Sequence, residues 1–161
     1  MKVLFLDIDG VLNSVQYFKS KKYNKTKGNY LCDIDTDKLP LIQEIIEKTH
    51  CKVVLSSSWR YFWNNPKFIK ALKQLKNEFK KHKIVIFDIT GFEHKEDNSE
   101  WFGRQLQIRN WLQNHTVEKF CILDDDTYDL QLLKDNLVNP SFYEGGIKNE
   151  HVEECIKILN S

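Results

Sequence analysis

Apolar residues along this chain fall into two alternating patterns. Short continuous runs stand at Val3–Leu6, Lys52–Leu55, Lys83–Ile89 and Lys119–Leu123, with a weaker one at Leu137–Asn139. Runs of this length, rich in Val, Ile, Leu and Phe, predict strands buried on both faces. Between them the apolar positions recur at helical spacing: Leu39, Ile42, Ile45 and Ile46; then Phe68, Ile69, Leu72, Leu75 and Phe79; then Leu106, Ile108, Trp111 and Leu112; and finally Val152, Ile156 and Leu159. Asp35 or Thr36 caps the first of these helices, with Pro40 in its first turn. Pro66 opens the second, Ser99 offers a cap to the third, and Gly145-Gly146 turns the chain into the last. A short helix over Leu130–Lys134 fits between the last two strands. Strands alternating with helices predict an α/β fold with a parallel sheet covered on both faces.

The strands share a second property: each of the first, second and fourth ends abruptly in polar residues. The first runs into Asp7-Ile8-Asp9-Gly10, the second into Ser56-Ser57-Ser58-Trp59-Arg60, and the fourth into Asp124-Asp125-Asp126. On an extended backbone Asp7 and Asp9 point to the same side. Two carboxylates that close resist ionising together unless a cation lies between them, and a hard divalent ion such as Mg²⁺ suits oxygen donors. Three adjacent acids after the fourth strand call for the same compensation. In an open parallel sheet the carboxyl ends of the strands are where ligands bind.

The Asp-x-Asp-Gly-Val-Leu stretch resembles the first motif of the haloacid-dehalogenase-like (HAD) phosphohydrolases. The resemblance implies that Asp7 is the nucleophile and Asp9 the general acid/base. Ser56, with Ser57 as the alternative register, resembles the second motif, a hydroxyl that binds a phosphoryl oxygen with the following amides. Arg104, with Arg109 as the alternative, resembles the basic third motif. The acidic run resembles the fourth: Asp125 takes the metal-ligand position, Asp124 that of a glycine, and Asp129 that of a trailing acid, while Asp126 caps the next helix. The implied Mg²⁺ site comprises Asp7, the main-chain carbonyl of Asp9, Asp125 and the neighbouring Asp124, with Gly10 turning the chain beside the substrate. The fold implied is a HAD-like Rossmannoid three-layer α/β/α sandwich over residues 1–161 as a single domain, without a large cap.

DIDGVLN, VVLSSSWR, GRQLQIRNWL and CILDDD together resemble a compact, capless HAD branch that includes domains of RNA-repair proteins and the phosphatase halves of polynucleotide kinase-phosphatases. An open site suits RNA or DNA ends, with a 3′-phosphate as the expected substrate. The lysine-rich, acid-free stretch after the first strand, within an insertion over 14–36, reads as a hairpin-like flap whose Lys21 and Lys22 face a polyanion; a solvated loop is its plain alternative. Trp59 and Arg60, next to the second strand end, are candidates for stacking on bases. The sequence holds no nucleotide-binding P-loop, so the kinase and ligase functions found joined to such domains are not expected of it. A phosphatase of nucleotides or other small esters, and a non-catalytic phosphate- or RNA-binding module, are the alternatives.

Composition narrows the picture further. With 161 residues, 41% hydrophobic and 29% charged, the chain can bury a real core. A formal net charge of +1 selects no class of partner. The opening apolar run is too short for a membrane span or signal peptide. The four cysteines have no CxxC spacing and the histidines no zinc-like pairing, so the expectation is a reduced, cytoplasmic, monomeric protein without zinc.

Overall fold

The computed structural model describes residues 1–26, 33–62, 69–93 and 100–161. Five strands, β1 (Lys2–Leu6), β2 (Lys52–Leu55), β3 (Ile86–Ile89), β4 (Lys119–Leu123) and β5 (Leu137–Val138), form one sheet in the order β3-β2-β1-β4-β5. Every pairing is parallel. Alternate residues of each strand serve opposite faces. Leu4, Leu6, Val53, Leu55, Cys121 and Leu123 pack against helices α3 (Leu39–Thr49), α4 (Ile69–Lys81) and α6 (Asn149–Asn160), through residues that include Ile42, Phe79 and Cys155. Val3, Phe5, Val54 and Ile122 pack on the other face against Ile108 and Trp111 of α5 (Gly103–Gln113) and Leu130 of a 3₁₀ segment at Tyr128–Asn136. The result is the three-layer α/β/α sandwich expected from the sequence. Cys51, Cys121 and Cys155 are buried and free.

Two expectations are corrected. The insertion after β1 is helical rather than a hairpin: it forms α1 (Val15–Phe18) and α2 (Lys21–Thr26). The cause is local, because Ser14 Oγ accepts from Tyr17 N (3.2 Å) and Ser20 Oγ from Tyr23 N (3.1 Å), each serine starting a helical turn. Tyr17, Phe18 and Tyr23 close on one another with ring centroids 5.0–5.6 Å apart, and the Tyr17 hydroxyl donates to the Ile34 carbonyl (3.0 Å). Among the described residues no separate cap rises over the sheet.

β3 is also shorter than the apolar run. The ladder starts at Ile86, because Lys83 has φ +58° in a turn that closes α4 onto Ile84, and the register with β2 shifts between Val53 and Val54. The Pro66 start of α4, its Phe68 and the Ser99 cap lie outside the described residues. No helix among those described is long and apolar enough to cross a membrane.

Candidate active site

The parallel register continues one residue beyond the strands. Ser56 N donates to Leu6 O (2.9 Å), Asp7 N to Leu123 O (3.0 Å) and Thr90 N to Leu55 O (3.0 Å). Thr90, Ser56, Asp7 and Asp124 therefore stand side by side across four strands. Counting by twos from Val54, Phe5 and Ile122, the last three belong to the face covered by α5. All four are buried.

Arg104, in the first turn of α5, reaches into this row. Its Nη1 donates to Asp7 Oδ2 (2.8 Å) and, in a shorter contact, to Asp124 Oδ2. Burial by itself would lower the Arg104 pKa, but the carboxylates of Asp124 and Asp7 outweigh it and hold it above the ordinary value. Arg109 lies deeper in the helix and stacks on Trp101 with its guanidinium carbon 4.7 Å from the ring centre. Of the two arginines weighed from the sequence, Arg104 is the one in contact with Asp7.

Asp7, Asp124 and Asp125 each offer a carboxylate oxygen within 4.8 Å of the others. Burial, then the charge of Asp7, pushes the Asp125 carboxyl up to about 6 and drives Asp124 up as well, against the pull of Arg104. Three carboxylates around one guanidinium leave excess negative charge on an all-oxygen donor set, which fits a hard divalent cation. The donors are not equivalent. Both oxygens of Asp124 are engaged, Oδ2 by Arg104 and Oδ1 by the amide of Asp126 (2.9 Å). Asp125 instead lies against Gly10, whose φ of +74° suits glycine and where a Cβ would collide with the Asp125 carboxylate. Asp126 caps the following turn, its Oδ1 accepting from Tyr128 N (2.8 Å).

Asp9 is elsewhere. The strand ends before it, and its exposed side chain does not join the three-carboxylate group, so the expectation that Asp7 and Asp9 share one side of an extended strand is corrected. Asn13 Nδ2 donates to Asp9 Oδ1 (2.8 Å) and Trp59 Nε1 to Asp9 Oδ2 (3.1 Å).

Ser56 and Ser57 part in the same way. The Ser56 hydroxyl is buried with no hydrogen-bond partner. Ser57 is used by its own turn: its Oγ accepts from Trp59 N (3.3 Å) and its carbonyl from Arg60 Nη1 (2.7 Å).

Arg60 points inward rather than toward a ligand. Its other nitrogens donate to the Gly91 carbonyl (3.0 Å) and Gln107 Oε1 (2.8 Å), and burial lowers its pKa. A substrate contact through this guanidinium is corrected to a structural tie. Lys22 bridges Asp35 and Asp37 at 2.8 Å each, whereas Lys21 is exposed on α2. Asn13 and Thr90 were not identified from the sequence. Thr90 follows the third strand as Ser56 follows the second, and its hydroxyl too is buried without a partner.

A parallel sheet of this order, with its acids, serine and arginine gathered at the strand ends, defines an α/β protein of the haloacid-dehalogenase-like class. Within that class, the family model described as the HAD domain in Swiss Army Knife RNA repair proteins matches residues 3–152, and the chain belongs to this family. No curated protein and no solved structure was found to match it.

Proposed function

We propose that this chain is a Mg²⁺-dependent phosphomonoester hydrolase that works through an aspartyl-phosphate on Asp7 and acts on nucleic-acid ends bearing a 3′-phosphate. The observation that carries the reading is the buried Asp7 carboxylate at the end of the central strand, held by Arg104 beside the unpartnered Ser56 hydroxyl. An Asp7 oxygen attacks phosphorus in line, and the bond from phosphorus to the leaving oxygen breaks as Asp9 gives that oxygen its proton. Water then attacks the aspartyl-phosphate, yields its proton to Asp9, and releases inorganic phosphate with Asp7 restored. Arg104 and the Ser56 hydroxyl stabilise charge on the phosphoryl oxygens. Asp7, Asp125 and the Asp9 carbonyl would hold the metal, which when bound offsets the like charge of nucleophile and phosphate.

The nucleic-acid part of the proposal draws support from exposed aromatics in segments that follow strand ends. Exposed Tyr61 and Phe92 lie 4.9 Å apart after β2 and β3, and exposed Tyr128, after β4, lies 5.7 Å from the half-buried Phe102 that precedes α5. Such rings offer stacking surfaces to unpaired bases. The ion pairs of Lys22 and the burial of Arg60 favour a second reading, a phosphatase of small esters, because they remove two cations from contact with a polyanion.

The test is phosphate release, with Mg²⁺ or EDTA, from matched oligonucleotides carrying a 3′- or 5′-phosphate and from a small phosphate ester. Metal-dependent release from the 3′ end is expected, with a loss of roughly a thousandfold or more in Asp7→Asn. Turnover of the small ester alone would select the second reading. Unchanged activity of Asp7→Asn would overturn the mechanism.

A further inference from the structure

Asp9 is an exposed side chain on a turn, a setting in which a carboxylate ordinarily samples several rotamers. Here each of its oxygens receives an N–H from a different part of the chain. Asn13 Nδ2 lies 2.8 Å from Oδ1, and the Trp59 indole Nε1, from the 3₁₀ turn after β2, lies 3.1 Å from Oδ2. Asn13 is itself fixed. It is 1% exposed, its Oδ1 accepts from Gly10 N (2.8 Å), and its Nδ2 also donates to the Asp33 carbonyl (2.9 Å). One amide thus joins the turn after β1, the Asp9 carboxyl and the chain returning from the helical insertion.

We infer that Asn13 and Trp59 are positioning residues that hold the Asp9 carboxyl in the orientation needed to protonate the leaving oxygen. This rests on the phosphatase reading above. Both donors are neutral, so they fix direction without adding a positive charge beside the acid. Each carboxyl oxygen keeps a second lone-pair direction, so the group carries a proton on one oxygen while both N–H bonds remain. In the first step the phosphorus–oxygen bond to the leaving group breaks, its electron pair goes to that oxygen, and the Asp9 proton follows. Alignment of this acid matters for an alkoxide, which leaves poorly unprotonated. It matters far less for a nitrophenolate, which leaves as the anion.

The experiment compares kcat/KM for glycerol phosphate and p-nitrophenyl phosphate in Trp59→Phe, a change that keeps a ring and removes the N–H. Because kcat/KM reports events through formation of the aspartyl-phosphate, hydrolysis of that intermediate does not mask the effect. Loss of acid alignment is expected to lower the alkyl-ester value by about tenfold or more and the aryl-ester value by less than about threefold. Equal losses on both esters, or none on either, overturn the inference. Asn13→Ala, with its folded fraction checked by thermal melting, is expected to show the same asymmetry.

A second readout needs no turnover. The Trp59 indole N–H resonance, assigned from its absence in Trp59→Phe, should move on Asp9→Asn. A resonance indifferent to Asp9 overturns the clamp. Wild-type protein that releases phosphate from neither ester nor from a 3′-phosphorylated oligonucleotide overturns the phosphatase reading, and the indole resonance still decides the clamp.

Discussion

Arg104 lies between Asp7 and Asp124, both nearly free of solvent, and its removal leaves two buried carboxylates without their counter-charge. Breaking a buried pair from one side costs about 3–5 kcal/mol. Arg104→Met should lose about that much stability in EDTA, and Mg²⁺ should return part of it, as read by urea unfolding with and without the ion. Gly10 poses a different constraint at the same site. Gly10→Ala would strain a left-handed backbone by roughly 1–3 kcal/mol and drive Asp125 from its place. Its Mg²⁺ affinity, measured by calorimetry, should fall more than its melting temperature alone would suggest.

The 3₁₀ turn Ser58–Phe62 separates two neighbours that are indistinguishable by local pattern, sending the Trp59 indole to Asp9 and the Arg60 guanidinium inward. Arg60 donates to the Ser57 carbonyl at the head of that turn, to Gly91 after β3 and to Gln107 on α5, three acceptors in diverging directions. A lysine cannot span them with one ammonium. Arg60→Lys should therefore be destabilised almost as much as Arg60→Met, by roughly 2–4 kcal/mol in denaturant melts. Where apolar runs met polar residues, the sequence was readable almost to the residue: β2 and β4 begin and end as their patterns predict, and Arg104 lies at the start of its helix. The hairpin expectation failed although Ser14 and Ser20 each stand directly before a helical turn and accept from the amide three residues on, a signal that capping rules could have used. Asn13 carried no such signal, and Thr90 only its place directly after the third apolar run, as Ser56 stands after the second. Their burial comes from chain segments far away in sequence, Asp33 for one and the ladder to β2 for the other. The separation of Asp9 from Asp7 was hidden for a related reason: the strand ends one residue before the alternation that would have put them together.

Across the whole molecule, the acids at the strand ends make stability depend on pH. Asp125 titrates near 6 in the folded protein against about 4 in an unfolded chain. The folded state therefore binds more protons between these values, and the stabilising contribution, complete below about 4, is lost as pH rises through about 6. In EDTA the protein should melt higher at pH 5 than this group permits at pH 8. That difference should shrink in Asp125→Asn, and Mg²⁺ should raise the melting temperature mainly at the higher pH. The strand order has a further consequence. β1 carries Asp7, yet its neighbour on one side is β4, and most of the sequence lies between Asp7 and Asp124. Synthesis proceeds from the amino terminus, and a contact so distant in sequence forms late. A chain still being made holds Asp7 and Asp9 well before it holds Arg104, and Arg104 before Asp124 and Asp125. The ribosome thus releases Asp7 long before the groups that surround it, so the proposed chemistry would begin only once β4 has joined the sheet.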